Sequence, residues 1–73
     1  MLNGNKQELT LYQVIAILSQ IENKDKVFSR VGDNKFKIFK GFYGDLMLKI
    51  GDNEPRILAL FNYTQDRWVL DND

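Results

Sequence analysis

Apolar residues near the start of the chain follow the spacing of one helix face. They stand three or four positions apart: Leu11, Val14, Ile15, Leu18 and Ile21. Thr10 and Gln13 fit the Thr-x-x-Gln capping box, which marks the start of a helix. Asn23 tolerates the left-handed backbone conformation that often ends a helix. We therefore predict a helix from about Leu11 to Glu22.

From Val27 onward, apolar and polar residues alternate, which is the period of a strand with one buried face. Gly, Asp and Asn fill the short gaps between these segments, as in the turns between antiparallel strands. The pattern predicts five strands, at Val27–Val31, Lys35–Phe42, Leu46–Ile50, Arg56–Tyr63 and Arg67–Leu70. Because the fourth segment is nearly all apolar, it is typical of a central strand with both faces covered.

These elements fit a single small domain. The chain has 73 residues, and a domain of this length buries about 60 % of the surface that its unfolded state exposes. Elements joined by short loops usually pack on their neighbours in the chain. We therefore predict an α+β fold over residues 1–73, with the N-terminal helix packed on an antiparallel meander of about five strands.

One helix cannot cover both faces of such a meander. Alternation along the second and third predicted strands places Phe39 and Met47 opposite the helix, and we expect Tyr43, in the turn between them, on the same side. Leu58 and Leu60 extend this second apolar face. A soluble monomer seldom exposes a patch of this size, so we expect another copy, a partner protein or curling of the sheet to bury it. Self-association is the simplest of these.

The predicted partner-binding residues combine this patch with a basic rim: Phe39, Tyr43, Met47, Lys35, Lys37 and Lys40. The segment from Lys24 to Lys49 contains seven basic and three acidic residues, so its formal charge is +4, whereas the whole chain is neutral. Such a split can steer an anionic partner to one face or let two copies associate head to tail. An ordinary solvated surface also has this pattern.

The stretch KGFYGDLML, residues 40–48, bears on nucleic-acid binding. Its first three residues match an RNA-recognition strand, but the next three lack the small residue, the stacking Phe and the aliphatic residue of that signature. A hairpin that turns at Tyr43–Asp45, with Phe42 and Leu46 paired across it, fits better. Lysines interleaved with Phe39 leave a weaker hypothesis of single-strand binding open, although lysines on a strand also protect a sheet from aggregation. We do not expect nucleic acid to be the main partner.

The composition argues against catalysis and against a membrane span. The chain has no Cys and no His, so the commonest metal ligands and the commonest general base are missing. Asp52 and Glu54 stand in a predicted turn, where acidic residues are expected for backbone reasons and need no catalytic role. We expect no enzyme activity, cofactor or metal. The longest apolar runs have five residues, against roughly 18 for a membrane helix, and Met1–Glu8 lacks a secretion signal, so we expect a cytoplasmic protein.

Trp68 is the single tryptophan of the chain and allows two interpretations. Near the end of a small sheet, a tryptophan is expected to fill the core, with its indole N–H bonded to a carbonyl group. The alternative is an anchor residue in an interface with a partner.

The two ends of the chain resemble a known group of proteins. The segment LTLYQVIAILSQIENKDKVFSRV, a capped helix that leads through a lysine-bearing turn into a strand, and the final strand Asp66–Leu70 resemble the small phage-borne proteins related to the Thoeris anti-defence sponges. The resemblance implies a short accessory protein of a bacteriophage or mobile element, without enzyme activity and assembled from identical copies. The middle section that carries ligand contacts in that group has no counterpart here, so the resemblance assigns no binding residue.

These inferences together favour a non-enzymatic accessory protein that binds a host or phage protein stoichiometrically in the bacterial cytoplasm, for example as an anti-defence inhibitor. The first alternative is a homo-oligomeric sponge that sequesters a small anionic or nucleotide ligand. The second alternative is a weak nucleic-acid binder.

Overall fold

The computed structural model describes residues 7–71. Within this range, one α-helix, α1 (Leu11–Leu18), packs on a sheet of six strands: β1 (Leu9–Thr10), β2 (Val27–Arg30), β3 (Asp33–Lys40), β4 (Leu46–Ile50), β5 (Arg56–Ile57) and β6 (Arg67–Leu70). The strand order is β1-β6-β2-β3-β4-β5, and every neighbouring pair is antiparallel. The predicted α+β architecture, one helix on an antiparallel sheet, is confirmed, with six strands instead of about five.

Strands β2 to β5 form the predicted meander, but β6 does not continue it. The chain leaves β5 at one edge of the sheet and returns to place β6 between β1 and β2. This connection passes over the same face as the helix, since Leu58 is buried in the core and the ring of Tyr63 packs near Phe36 and Trp68, with centroid distances of 6.2 and 6.3 Å. The helix and the connection therefore cover the same face of the sheet together.

The core lies on that face of the sheet, which we call the core face. Its buried apolar residues come from α1, from alternate positions of the strands and from the connection: Leu9, Leu11, Val14, Leu18, Phe28, Ile38, Leu48, Leu58 and Trp68. Trp68 is fully buried, as predicted for a core residue, but its Nε1 has no hydrogen-bond partner among the described residues. The predicted bond from the indole to a carbonyl group is therefore not found.

The start of α1 follows the predicted capping box, whereas its end comes earlier than predicted. The Gln13 N–H donates to Thr10 Oγ1 at 3.2 Å, and the Thr10 N–H donates to Gln13 Oε1 at 2.8 Å. The helix ends at Leu18, not at Glu22, because Gln20 adopts an extended backbone and a separate 3₁₀ turn follows at Ile21–Asn23. As a result Ile21 is 78 % exposed and lies outside the buried stripe of the helix.

The predicted central strand Arg56–Tyr63 is wrong in extent and in burial. Its first two residues form β5, at the sheet edge, and a second 3₁₀ turn occupies Leu60–Asn62. Between them Leu58 turns into the core, and the chain begins its return to β6. Ile57 is 62 % exposed and Phe61 is 95 % exposed, so this apolar run is not covered on both faces.

The hairpin between β3 and β4 turns one position away from the prediction. Lys40 pairs with Leu46, and the Gly41 N–H donates to the Asp45 carbonyl oxygen at 2.7 Å. The Gly44 N–H donates to the Gly41 carbonyl oxygen at 2.9 Å, and the φ of Gly44 is +90°, as in a three-residue hairpin loop that ends in a left-handed glycine. The predicted Phe42–Leu46 pair does not form, and Phe42 lies 95 % exposed in the loop.

Candidate protein-binding surface

The face of the sheet opposite α1, which we call the outer face, carries a continuous apolar row. The strand register aligns Val27 with Phe39, Phe39 with Met47, and Met47 with Ile57. Because residues in register on one face of a sheet are side-chain neighbours, these four residues form a row across β2, β3, β4 and β5. We call them the outer row.

The outer row is accessible to solvent to different degrees. Val27, Phe39 and Met47 are half-buried, because their side chains shield one another, and Ile57 at the sheet edge is 62 % exposed. In the described part of the chain, the helix and the connection to β6 both lie on the core face. The outer row is therefore a shallow apolar strip that no described element covers.

A second row of side chains, mostly polar or basic, lies beside the outer row. Two positions further along the strands, the register aligns Val69 with Ser29, Ser29 with Lys37, and Lys37 with Lys49. Lys35 occupies the next outward position of β3. We call Lys35, Lys37 and Lys49 the lysine cluster. Because like charges directly opposite each other on a sheet are unfavourable, an anion close to Lys37 and Lys49 stabilises this arrangement.

The chain itself supplies one such anion. Lys37 Nζ lies 2.8 Å from Asp71 Oδ2 and 2.9 Å from Ser29 Oγ. Lys35 and Lys49 form no ion pair with any other residue that the structure describes. The cluster therefore keeps an excess of positive charge at the border of the apolar strip.

The structure divides the six predicted binding residues between two places. Phe39, Met47, Lys35 and Lys37 come together on the outer face. Lys40 does not, because it alternates with Phe39 and lies on the core-face side, where it lines a depression with Ile15 and Leu18. Tyr43 also lies elsewhere. It is 90 % exposed at the tip of the β3–β4 hairpin and packs edge to face on Phe42, with ring centroids 5.1 Å apart.

The predicted extension of the patch by two leucines is not observed. Leu58 is 6 % exposed and belongs to the core, and Leu60 lies in the 3₁₀ turn after β5. The interpretation of Arg56–Tyr63 as one straight strand caused this error. A strand places alternate residues on opposite faces, but here the strand ends after Ile57.

Sequence reasoning missed three outward positions next to the lysines, namely Val27, Ser29 and Val69. For Val69 the signal was available, because Trp68 was expected to face the core and the neighbours of an inward residue face outward. Ile57 carried no comparable signal. Its position on the outer row depends on β5 being a short edge strand, which the apolar run did not indicate.

A second apolar patch lies at the tip of the β3–β4 hairpin. Ile21, Phe42 and Tyr43 are 78 %, 95 % and 90 % exposed. Ile21 and Phe42 border an open depression of about 370 Å³, which also includes Lys24 and Asp25. Lys40 also lines this depression, so two lysines stand there against one carboxylate.

Comparison of the chain with protein-family models, with curated proteins and with solved structures gives no match. Among residues 7–71, no helix combines the length and the apolar character that crossing a membrane requires. The functional argument therefore depends on the geometry of the two surfaces.

Proposed function

We propose that this protein is a non-catalytic binding protein whose outer face docks on an acidic, apolar segment of a partner protein. One observation carries the proposal: the outer row, which no element in residues 7–71 covers, runs directly beside a lysine cluster that holds excess positive charge within the same range. A protein interface typically combines an apolar centre with a polar rim, and opposite charges on the partner guide the encounter.

The chemistry of the outer row supports a protein partner over a nucleic acid. Three of its four residues are aliphatic or Met, and the single ring, Phe39, is half-buried between its neighbours. Single-strand binders present exposed aromatic rings on which bases stack. The highly exposed rings of Phe42 and Tyr43 lie at the hairpin tip, away from the lysine cluster.

The charge of the outer face supports a different chain as the partner over a second copy. A two-fold dimer buries the same patch of both copies in one interface. Dimerisation through the outer face would therefore bring two lysine clusters together, which costs free energy unless anions intervene. The predicted self-association stays a prediction, and on this argument it would use another surface.

The proposed role is compatible with the sequence-based expectation of an accessory protein from a phage or mobile element. A stoichiometric inhibitor in the bacterial cytoplasm acts by covering a surface of its target, and it needs no chemistry of its own. An anti-defence inhibitor is one form of this function. The geometry of the outer face supports the binding step of that proposal.

Amide chemical shifts in ¹H–¹⁵N NMR spectra test the proposed function. The probe is a blocked peptide of Leu-Leu-Glu-Glu repeats, which presents apolar and acidic groups together. The matched controls replace all Glu by Gln or all Leu by Ser. We expect shifts at Ser29, Lys37, Phe39 and Met47 with the first peptide, and weaker binding of both controls. Since NMR titration detects millimolar dissociation constants, a generic peptide is sufficient.

The same titration separates the alternatives. The amide signals of a nucleic-acid binder would shift more with a short oligothymidylate than with the acidic peptide. Its affinity for the oligonucleotide would fall steeply with salt. A nucleotide sponge would gain about 2.7 kcal/mol of stability at a nucleotide concentration of one hundred times the dissociation constant. Shifts confined to the hairpin tip, or the absence of shifts with the Leu-Leu-Glu-Glu peptide, would contradict docking on the outer face.

A further inference from the structure

Ser29 is unusual among the residues of the outer face. It is 3 % exposed, and among the polar and charged residues in the described part of the chain it alone is buried. Its hydroxyl oxygen accepts a hydrogen bond from Lys37 Nζ at 2.9 Å. Ser29 therefore holds the ammonium group of Lys37 at the centre of the outer face, and this group has further N–H donors for another acceptor.

Lys37 already holds a carboxylate from the same chain. Lys37 Nζ donates to Asp71 Oδ2 at 2.8 Å, the short distance typical of charge-assisted bonds. The backbone N–H of Asp71 donates to the Val27 carbonyl oxygen at 2.7 Å, which fixes the Asp71 backbone beside β2. The side chain of Asp71 thus lies where an acidic side chain of a docked partner would meet the lysine cluster.

We infer that Lys37, held in place by Ser29, forms a carboxylate-binding position, and that Asp71 is a tethered competitor which the partner's acidic side chain displaces. The inference rests on the proposed function and names one contact within it. Displacement is feasible because the side chains of Lys37 and Asp71 are 31 % and 40 % exposed. An exposed ion pair of this kind changes an equilibrium by at most about fivefold, so a partner that adds apolar contacts can replace it.

The position has a specific chemical preference. A carboxylate matches the charge of the Lys37 ammonium group, whereas a neutral amide offers it only a dipole. The outer row begins beside it, because Val27 pairs with Phe39 in the same register that pairs Ser29 with Lys37. A partner segment with an acidic residue next to apolar residues would therefore contact the carboxylate-binding position and the outer row at the same time.

Four variants of the full chain test the inference with the Leu-Leu-Glu-Glu peptide. Asp71→Asn removes the competitor. Glu22→Gln is the matched control, since it removes one negative charge from an exposed residue of the 3₁₀ turn after α1. Lys37→Met removes the binding position, and the double variant Lys37→Met/Asp71→Asn asks whether the competitor acts through Lys37. Dissociation constants come from NMR titration at a fixed, low salt concentration.

We expect Asp71→Asn to bind the peptide about two- to fivefold more tightly than the wild type, with Glu22→Gln unchanged. In the Lys37→Met background, Asp71→Asn should give no gain. Equal affinities of Asp71→Asn and Glu22→Gln, with the wild-type shifts still on the outer face, would overturn the competitor role and leave the proposed function intact. No outer-face shift in any variant would overturn both. Circular dichroism spectra that match the wild type ensure that the comparison concerns folded proteins.

Discussion

Phe28 and Phe39 test whether the outer face is open. They lie on the adjacent strands β2 and β3 but on opposite faces, since Phe28 pairs with Ile38 and Phe39 pairs with Val27. Phe28 is 1 % exposed, whereas Phe39 is half-buried. Replacing a buried Phe by Ala costs about 3–5 kcal/mol, a large part of the roughly 4–11 kcal/mol expected for a chain of 73 residues. At Phe39 solvent fills the vacated space, so we expect Phe39→Ala to cost only about 1–2 kcal/mol.

Urea unfolding followed by fluorescence measures both variants. Trp68 is the single tryptophan and is fully buried, so its emission reports the loss of the core. A difference of about 2–3 kcal/mol between the variants corresponds to unfolding midpoints that lie about 1–3 M urea apart, for the slopes usual in small proteins.

A milder pair keeps the comparison usable if Phe28→Ala does not fold. Phe28→Leu and Phe39→Leu leave smaller vacancies and should rank in the same order, because the difference in burial is unchanged. Equal losses of stability at the two positions would refute the reasoning. They would mean that the outer face is closed like a second core, for example by curling of the sheet.

Three further changes test local features of the fold. Thr10→Ala removes the capping box with Gln13 and should cost about 0.5–2 kcal/mol in urea unfolding, whereas Thr10→Ser, which keeps the hydroxyl, should cost less. Gly44→Ala places a side chain at a φ of +90° and should lower the melting temperature by about 4–16 °C, corresponding to 1–2 kcal/mol. Gly41→Ala would put a Cβ 2.9 Å from Met47 Cγ, so we expect a loss of stability that Met47→Ala partly relieves in the double variant. Additive losses at these two positions would contradict the contact.

Local signals in the sequence predicted the elements that depend on local chemistry. The capping box at Thr10 defines the start of α1, and strict alternation gives the bounds of β4 and β6 as the structure has them. These features involve hydrogen bonds or side-chain directions within a few residues, so one segment of sequence contains their cause.

The remaining features depend on where distant segments meet. The helix pattern continues to Ile21, but the chain leaves the helix after Leu18 to reach β2. The apolar run after Pro55 has the composition of a central strand, yet it forms a sheet edge and then crosses the core face. A hydrophobic pattern states that a residue is apolar, but not which segment covers it.

The same distinction between local and distant features applies to the candidate site. Alternation correctly placed Phe39, Met47 and the two lysines of β3 that precede Phe39 on one face, opposite the core. Lys40 was assigned to that face against its own alternation, and Tyr43 was assigned from a turn whose register was one position off. The contact of Lys37 with Asp71, 34 positions later, has no local signal, because it depends on β6 returning beside β2.

The methyl group of Met47 provides the most direct test of the outer face as an open docking surface. The chain has two methionines, and Met47 lies at the middle of the outer row. We expect its ¹³C-labelled methyl signal to be broadened by a soluble nitroxide in the free, dilute protein and to be protected when the Leu-Leu-Glu-Glu peptide saturates the site. A methyl group that is already protected in the free protein, or one that stays fully accessible at saturation, would contradict the account.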